Sequence, residues 1–211
     1  MLSQSEKLLS QYKDSEEKTK QQISENEAAI KAADDEIRRY LENQRKKDQE
    51  KLAKVNPKNP KLGFVISEAS KNKNQGGFIW PVPGFKIISS NFSDTQNRKQ
   101  KHGAIDIAGS GGNPIYGANV VASGSGTVIK IGYSNGKKVG YGNTIVIDHG
   151  NGILTRYSHL SSIAVKLGQN VAREQVIGQV GNTGYSTGPH LDFTFIVDGE
   201  KVDPLLYVRR P

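Results

Sequence analysis

The first 55 residues contain neither glycine nor proline, and all 23 glycines and 8 prolines of the 211-residue chain lie beyond them. A chain divided in this way predicts two regions built on different principles. The first is rich in Glu, Lys, Gln and Ala, which lose little on entering a helix, and it reads as one long helix. Ile23, Ile30 and Ile37 recur at seven, Asn26, Ala33 and Tyr40 fill the alternate positions, and Leu9 and Tyr12 extend the row backward. This 3-4 spacing is a coiled-coil seam, with Asn26 as a polar residue of the kind that fixes register. It predicts a partner helix, from a second copy of the chain or from another segment. Pro57 and Pro60 in "NPKNPK" stop the helix, and "SKNKNQGG" reads as a flexible linker.

From Ile79 the apolar period changes to two. "NVVASGSGTVIKIGY", "GNTIVIDHG", "GILTRYSHL" and "PHLDFTFIV" are short β-branched runs punctuated by Gly and Asn. Asn151-Gly152 is a two-residue hairpin signal, and Asn135-Gly136 marks a second turn. With no helical pattern between the strands, the expected fold is all-β: an antiparallel β-sandwich or barrel-sandwich hybrid domain preceded by an N-terminal α-helical coiled-coil segment. The expected boundaries are 1–55 for the helix, 56–78 for the linker and 79–211 for the β domain.

The net charge of +8 is unevenly shared. Residues 1–53 hold 11 basic and 12 acidic side chains, which leaves 18 basic and 9 acidic to the remainder. A basic β domain fits an anionic partner such as an acidic cell-wall polymer. Nucleic acid is not expected, since no basic helix, zinc knuckle or aromatic sheet motif accompanies the charge. The absence of cysteine excludes disulfides, thiolate metal ligands and a cysteine nucleophile. Residues 1–20 are too polar for a signal peptide or a membrane span, so export requires a leader upstream of Met1.

Four histidines remain to be explained. His149, in "DHGNG", needs no role beyond that of a polar turn residue. His102, His159 and His190, with Asp106 and Asp192, lie at strand ends flanked by glycine, a composition suited to a metal site. His190 and Asp192 are two apart and share a strand face, while Leu191, Phe193 and Phe195 take the opposite one. A straight strand would hold positions 102 and 106 about 13 Å apart. A straight strand could not use both on one metal, but Gly103 allows a bend that would let His102 sit on a loop folding back over Asp106.

"WPVPG", "HGAIDI", "VVASGSGTV", "GYGNTIVIDHGNGILTRYSHLS", "GQNV", "IGQVGNTGYSTGPHL" and "VDPLLY" resemble, in order and spacing, the lysostaphin/LytM-type zinc metallopeptidases that cut peptide cross-links in bacterial peptidoglycan. The resemblance implies a duplicated hybrid motif domain and a zinc-dependent endopeptidase of the extracellular cell envelope. It places His102 and Asp106 as zinc ligands and His159 and His190 as catalytic residues, which contact the attacking water and the oxyanion in an order the sequence leaves open. The family's third ligand is the second histidine of an "H-L-H-F" block, and this chain has Asp192 there. Aspartate is a legitimate zinc ligand, so the implied metal set is His102, Asp106 and Asp192. Its carboxylate reaches less far than an imidazole, and its charge brings the zinc site from +1 to neutral, so weakened hydrolysis is expected. The alternative is an inactive peptidase-like scaffold or activator of cell-wall hydrolysis that works through its coiled coil, in a homo-oligomer or with another partner. A biotinyl or lipoyl carrier is disfavoured because "SGSGT" offers no lysine for attachment. Tyr133, Tyr141, Asn182 and Tyr185 are candidate walls of a peptide groove.

Overall fold

The computed structural model describes residues 4–55, 77–95 and 101–211. Helix α1 (Gln4–Val55) runs unbroken for 52 residues, as the absence of helix breakers predicts. No helix among the described residues is long and apolar enough to cross a membrane. Apart from Gly77 and Phe78, the linker expected over 56–78 lies outside the described residues.

The rest is β structure. Strands β1 (Ile87–Ser90), β2 (Ile105–Ala108), β4 (Gly126–Gly132), β5 (Thr144–Asp148), β6 (Ile153–Ser158), β8 (Asn170–Val171), β10 (His190–Val197) and β11 (Glu200–Val202) make one sheet in the order β1-β2-β10-β6-β5-β4-β8. β11 pairs with the second half of β10. A smaller sheet joins β3 (Asn119–Val121), β9 (Val176–Val180) and β7 (Leu160–Ile163) in the order β3-β9-β7. Pairing between these strands is antiparallel throughout. Asn151 and Gly152 both take positive φ, as a tight hairpin turn requires, and join β5 to β6. Asn135 and Gly136 do the same, but within the longer connection 133–143.

Alternation along β10 divides the molecule's contacts. Leu191, Phe193 and Phe195 enter a core with Ile105, Ile107, Ile145, Tyr157, and Val120, Ile177 and Val180 of the smaller sheet. The opposite face of β10 carries His190, Asp192, Thr194 and Ile196. Ile196 lies opposite Leu154 of β6, and both pack with Val146 of β5 against Ile37 and Leu41 of α1. Each such aliphatic side chain contributes roughly 2 kcal/mol when buried, so this patch is sufficient to seat the helix.

The side of α1 that is sheltered follows the row Ile23, Asn26, Ile30, Ala33, Ile37 and Tyr40, whereas residues 4–22 are exposed along their whole length. Polar contacts complete the docking. Asn26 Oδ1 accepts from the Gly140 amide at 2.7 Å, the Tyr40 hydroxyl donates to Asp148 at 2.8 Å, and Arg45 pairs with Asp198 at 2.8 Å. The heptad row is thus the buried face of the helix, and its partner among the described residues is a sheet.

Candidate metal centre

The site forms where β10 meets its two neighbours. In the β2–β10 register Asp106 stands directly opposite Asp192, and both are buried. Like charges directly opposed in a sheet repel, so this pair needs a cation. One group that supplies it is His102. His102 precedes β2 on a segment that turns back, with its amide donating to the Asp94 carbonyl at 2.9 Å. Its Nε2 lies 3.3 Å from Asp106 Oδ1 and 3.4 Å from Asp192 Oδ2. His102 and Asp106 thus meet although four residues separate them, as a bend at Gly103 allows. Nδ1 of the same ring faces Ser90 Oγ at 3.1 Å and the Asn91 carbonyl at 3.3 Å, which orients the ring. Burial pushes the His102 imidazole down, but hydrogen bonds and charge from Asp106 and Asp192 outweigh it and raise its pKa to about 9.

The donor atoms of His102, Asp106 and Asp192 all lie within 4.8 Å of one another. Ligands of one tetrahedral zinc stand about 3–3.5 Å apart, so both His102–carboxylate separations already match. An imidazole nitrogen with two carboxylate oxygens is a donor set that zinc accepts. On geometry and chemistry the three residues fit the metal.

Two further imidazoles flank this trio. His190 Nε2 is 3.7 Å from Asp106 Oδ1, and the His159 and His190 rings are 4.8 Å apart. His159 sits at the break between β6 and β7 with φ 63, a left-handed conformation uncommon outside glycine that recurs at functional sites. Backbone contacts hold it there: its amide donates to the Tyr141 carbonyl at 2.9 Å, and its Nδ1 lies 2.7 Å from the Thr183 carbonyl. The two loops that provide these carbonyls meet backbone to backbone. A side chain at Gly142 would come within 2.5 Å of the Thr183 carbonyl group, and one at Gly184 within 2.3 Å of the Gly142 nitrogen. His190 Nδ1 lies 2.9 Å from the Gly188 carbonyl. Because a carbonyl only accepts, Nδ1 carries a proton in both rings; Nε2 of His159 is then an acceptor, while Nε2 of His190 faces Asp106. Burial lowers the His159 pKa, so that this imidazole is neutral at neutral pH.

Behind Asp192, on the β6 side, lies a second group of polar residues. Arg156 is opposite Thr194 in the β6–β10 register and is buried. Its Nη2 donates to Thr194 Oγ1 at 2.9 Å, and its Nη1 donates to Asp34 of α1 at 2.8 Å. Its guanidinium lies 3.4 Å above the Tyr141 ring. Asp34 also accepts from Lys201 Nζ at 2.6 Å and from the Tyr141 hydroxyl at 3.1 Å. Burial opposes ionisation of Asp34, but Arg156 and Lys201 hold its carboxyl below the usual range. Arg156, Thr194 and Asp34 did not emerge from the sequence reading. The available signal was an arginine inside "ILTRYS", a strand buried at every position, which demands a counter-charge.

His149 lies away from this centre, with Nδ1 2.9 Å from the Ser125 carbonyl and Nε2 2.7 Å from Thr155 Oγ1; it is a structural turn residue. Of the expected groove walls, Tyr133, Tyr185 and Asn182 are exposed, while Tyr141 is clamped by Arg156 and Asp34. A cavity of about 300 Å³ opens between α1 and the 132–144 segment, lined in part by Ala29, Ala33, Tyr133 and Tyr141.

Comparison with known proteins gives a consistent result. Residues 100–204 match Peptidase family M23. The peptidoglycan DD-endopeptidase ShyA of Vibrio cholerae is 42% identical over 131 residues, 60% of this chain and 28% of the relative. The DD-carboxypeptidase/endopeptidase Mpg of Neisseria meningitidis is 41% identical over 108 residues, 49% of this chain and 22% of the relative. The matched region thus spans less than a third of the length of these curated relatives. Among solved structures, a zinc containing peptidase from Vibrio cholerae superposes with a TM-score of 0.51 at 37% identity, covering 60% of this chain and 39% of that one. A chain of the SpoIIQ-SpoIIIAH pore forming complex superposes with a TM-score of 0.54 at 28% identity, covering 64% of this chain and 92% of that one. Through its β domain, the chain belongs to peptidase family M23.

Proposed function

We propose that this protein is a zinc-dependent endopeptidase that hydrolyses peptide bonds of peptidoglycan cross-links at the bacterial cell envelope. The observation that carries the reading is the opposed pair Asp106 and Asp192 with His102 between them, flanked by the imidazoles of His159 and His190. The name of ShyA, a peptidoglycan DD-endopeptidase, supports the substrate class, and the 13 basic against 8 acidic residues of positions 79–211 suit an anionic polymer.

His102, Asp106 and Asp192 would hold the metal. Bound zinc would supply Lewis-acid polarisation of the scissile carbonyl and of a water. The rest of the chemistry falls to the protein. His159, kept neutral by burial and fixed with its proton on Nδ1, takes the proton of the attacking water at Nε2. His190, whose Nε2 lies beside Asp106, donates from that atom, once protonated, to the developing oxyanion. Two carboxylates in the metal set make a more oxygen-rich site than a His-Asp-His set, which softens the preference for zinc over harder cations and slows hydrolysis.

The test is muropeptide release from purified peptidoglycan. The parent chain should cleave slowly, lose activity to a chelator, and recover it with zinc. Asp192→His should cleave faster. No release by either protein at full zinc occupancy would refute the enzymatic reading. One observation favours the second reading, a non-catalytic scaffold: a chain from a pore forming complex matches this fold over 92% of its length.

A further inference from the structure

Helix α1 reaches the candidate metal centre through a continuous line of hydrogen bonds. Asp34 Oδ1 accepts from Arg156 Nη1 at 2.8 Å, Arg156 Nη2 donates to Thr194 Oγ1 at 2.9 Å, and Thr194 Oγ1 donates to Asp192 Oδ1 at 3.3 Å. We infer that Asp34, Arg156 and Thr194 are positioning residues that fix the Asp192 carboxylate for a metal, which makes the N-terminal helix a working part of the site.

The inference rests on the reading of Asp192 as a ligand, and it follows from what each group is free to do. A threonine hydroxyl rotates, and it can donate or accept. Here the guanidinium occupies it as an acceptor, so its own proton is directed to Asp192 Oδ1. That leaves Asp192 Oδ2 facing His102 Nε2 at 3.4 Å, with one oxygen held and the other presented. Arg156 cannot swing away, because its plane lies 3.4 Å above the Tyr141 ring and Asp34 holds Nη1. Asp34 matters for a second reason. Arg156 brings a positive charge towards a cation site, and the Asp34 carboxylate offsets it. Loss of Asp34 would therefore free the guanidinium and leave its charge uncancelled, and both effects oppose metal binding.

A structural stitch between helix and sheet would use the same atoms, so the experiment must separate the two roles. Zinc affinity of the full chain is measured by competition with a chromophoric chelator, alongside the melting temperature without zinc. Thr194→Val keeps the shape and removes the hydroxyl, and Asp34→Asn keeps the size and removes the charge. Groups that orient a metal ligand typically change affinity about 10–100-fold, and each variant should weaken zinc by an amount in that range. Because both act through one line, the double variant should bind about as weakly as the worse single variant. Thr194→Ser, which restores the hydroxyl, should bind like the parent. Tyr40→Phe, which removes a docking hydrogen bond remote from the line, should lower the melting temperature and leave zinc affinity unchanged. Parental affinity in Thr194→Val, multiplied losses in the double variant, or a loss in Tyr40→Phe equal to that in Asp34→Asn would each overturn the inference alone. If Asp192→Ala binds zinc as the parent does, or the parent binds none, the metal reading falls and the inference falls with it.

Discussion

The two neighbours of β10 ask opposite things of it. On the β2 side a carboxylate faces a carboxylate, Asp106 against Asp192, with His102 as the single imidazole between them. On the β6 side Thr194 faces Arg156, whose charge is already met by Asp34 from a helix more than a hundred residues upstream. One flank is left short of positive charge, and on the other Asp34 answers the Arg156 guanidinium. A sheet whose charges are met on one side and not on the other leaves the open side chemically suited to a cation. The inner group also offsets what Asp192 adds. Asp34, Arg156 and Lys201 together carry one net positive charge, which stands against the extra carboxylate of the metal set.

The comparison can be broken most severely on the β6 side. Removing one member of a buried ion pair costs about 3–5 kcal/mol, because the other is left uncompensated. Asp34 is partly exposed, with 28% of its side chain accessible, so Asp34→Ala should lie at the lower end, about 3 kcal/mol in urea denaturation. A loss near zero would mean that Arg156 finds another partner and that the flank is not closed by α1. Leu41→Ala, at the apolar end of the same interface, should cost about 2 kcal/mol, the low end for a buried leucine at an interface that can relax. A larger loss than that of Asp34→Ala would reverse the ranking of polar and apolar docking.

A smaller effect sharpens the comparison through pH. The folded state depresses the Asp34 pKa below its ordinary 3.8, so its contribution is present above pH 3.8 and is lost as pH falls below that value. Burial and the Asp148 carboxylate raise the Tyr40 hydroxyl from 10.0 to about 12. Its contribution is therefore complete below pH 10 and is lost between about pH 10 and 12. The urea midpoint should fall at both ends of this window, with Asp34→Asn flattening the acid limb and Tyr40→Phe the alkaline one. Unchanged limbs in both variants would remove these two groups from the docking.

What could be read in the sequence followed from local periodicity. Period two placed Leu191, Phe193 and Phe195 on one face of β10 and His190 and Asp192 on the other, which is how the strand packs. The gathering of His102, Asp106 and Asp192 was legible only through the resemblance of whole motifs, since spacing and Gly103 show no more than that His102 can fold back over Asp106. The heptad row marked the sheltered face of α1 from Ile23 to Tyr40 but not at Leu9 and Tyr12, which are exposed, and a seam of isoleucine, alanine and tyrosine packs as well on a sheet as on a helix. Periodicity identifies a face and says nothing about what covers it. Asp34 and Arg156 were hidden for the same reason: 122 residues separate them, and no local pattern links a helix carboxylate to a strand guanidinium.

The central claim is that Asp192 supplies a carboxylate oxygen to a metal held with His102 and Asp106. X-ray absorption at the zinc edge tests it most directly, because imidazole gives a distinct multiple-scattering signal and carboxylate does not. The zinc-loaded parent and Asp192→His should be measured side by side. Zinc in Asp192→His should carry one more imidazole than zinc in the parent, with an oxygen scatterer lost in exchange. Identical spectra for the two proteins would contradict it, since Asp192 would then lie outside the metal's coordination sphere.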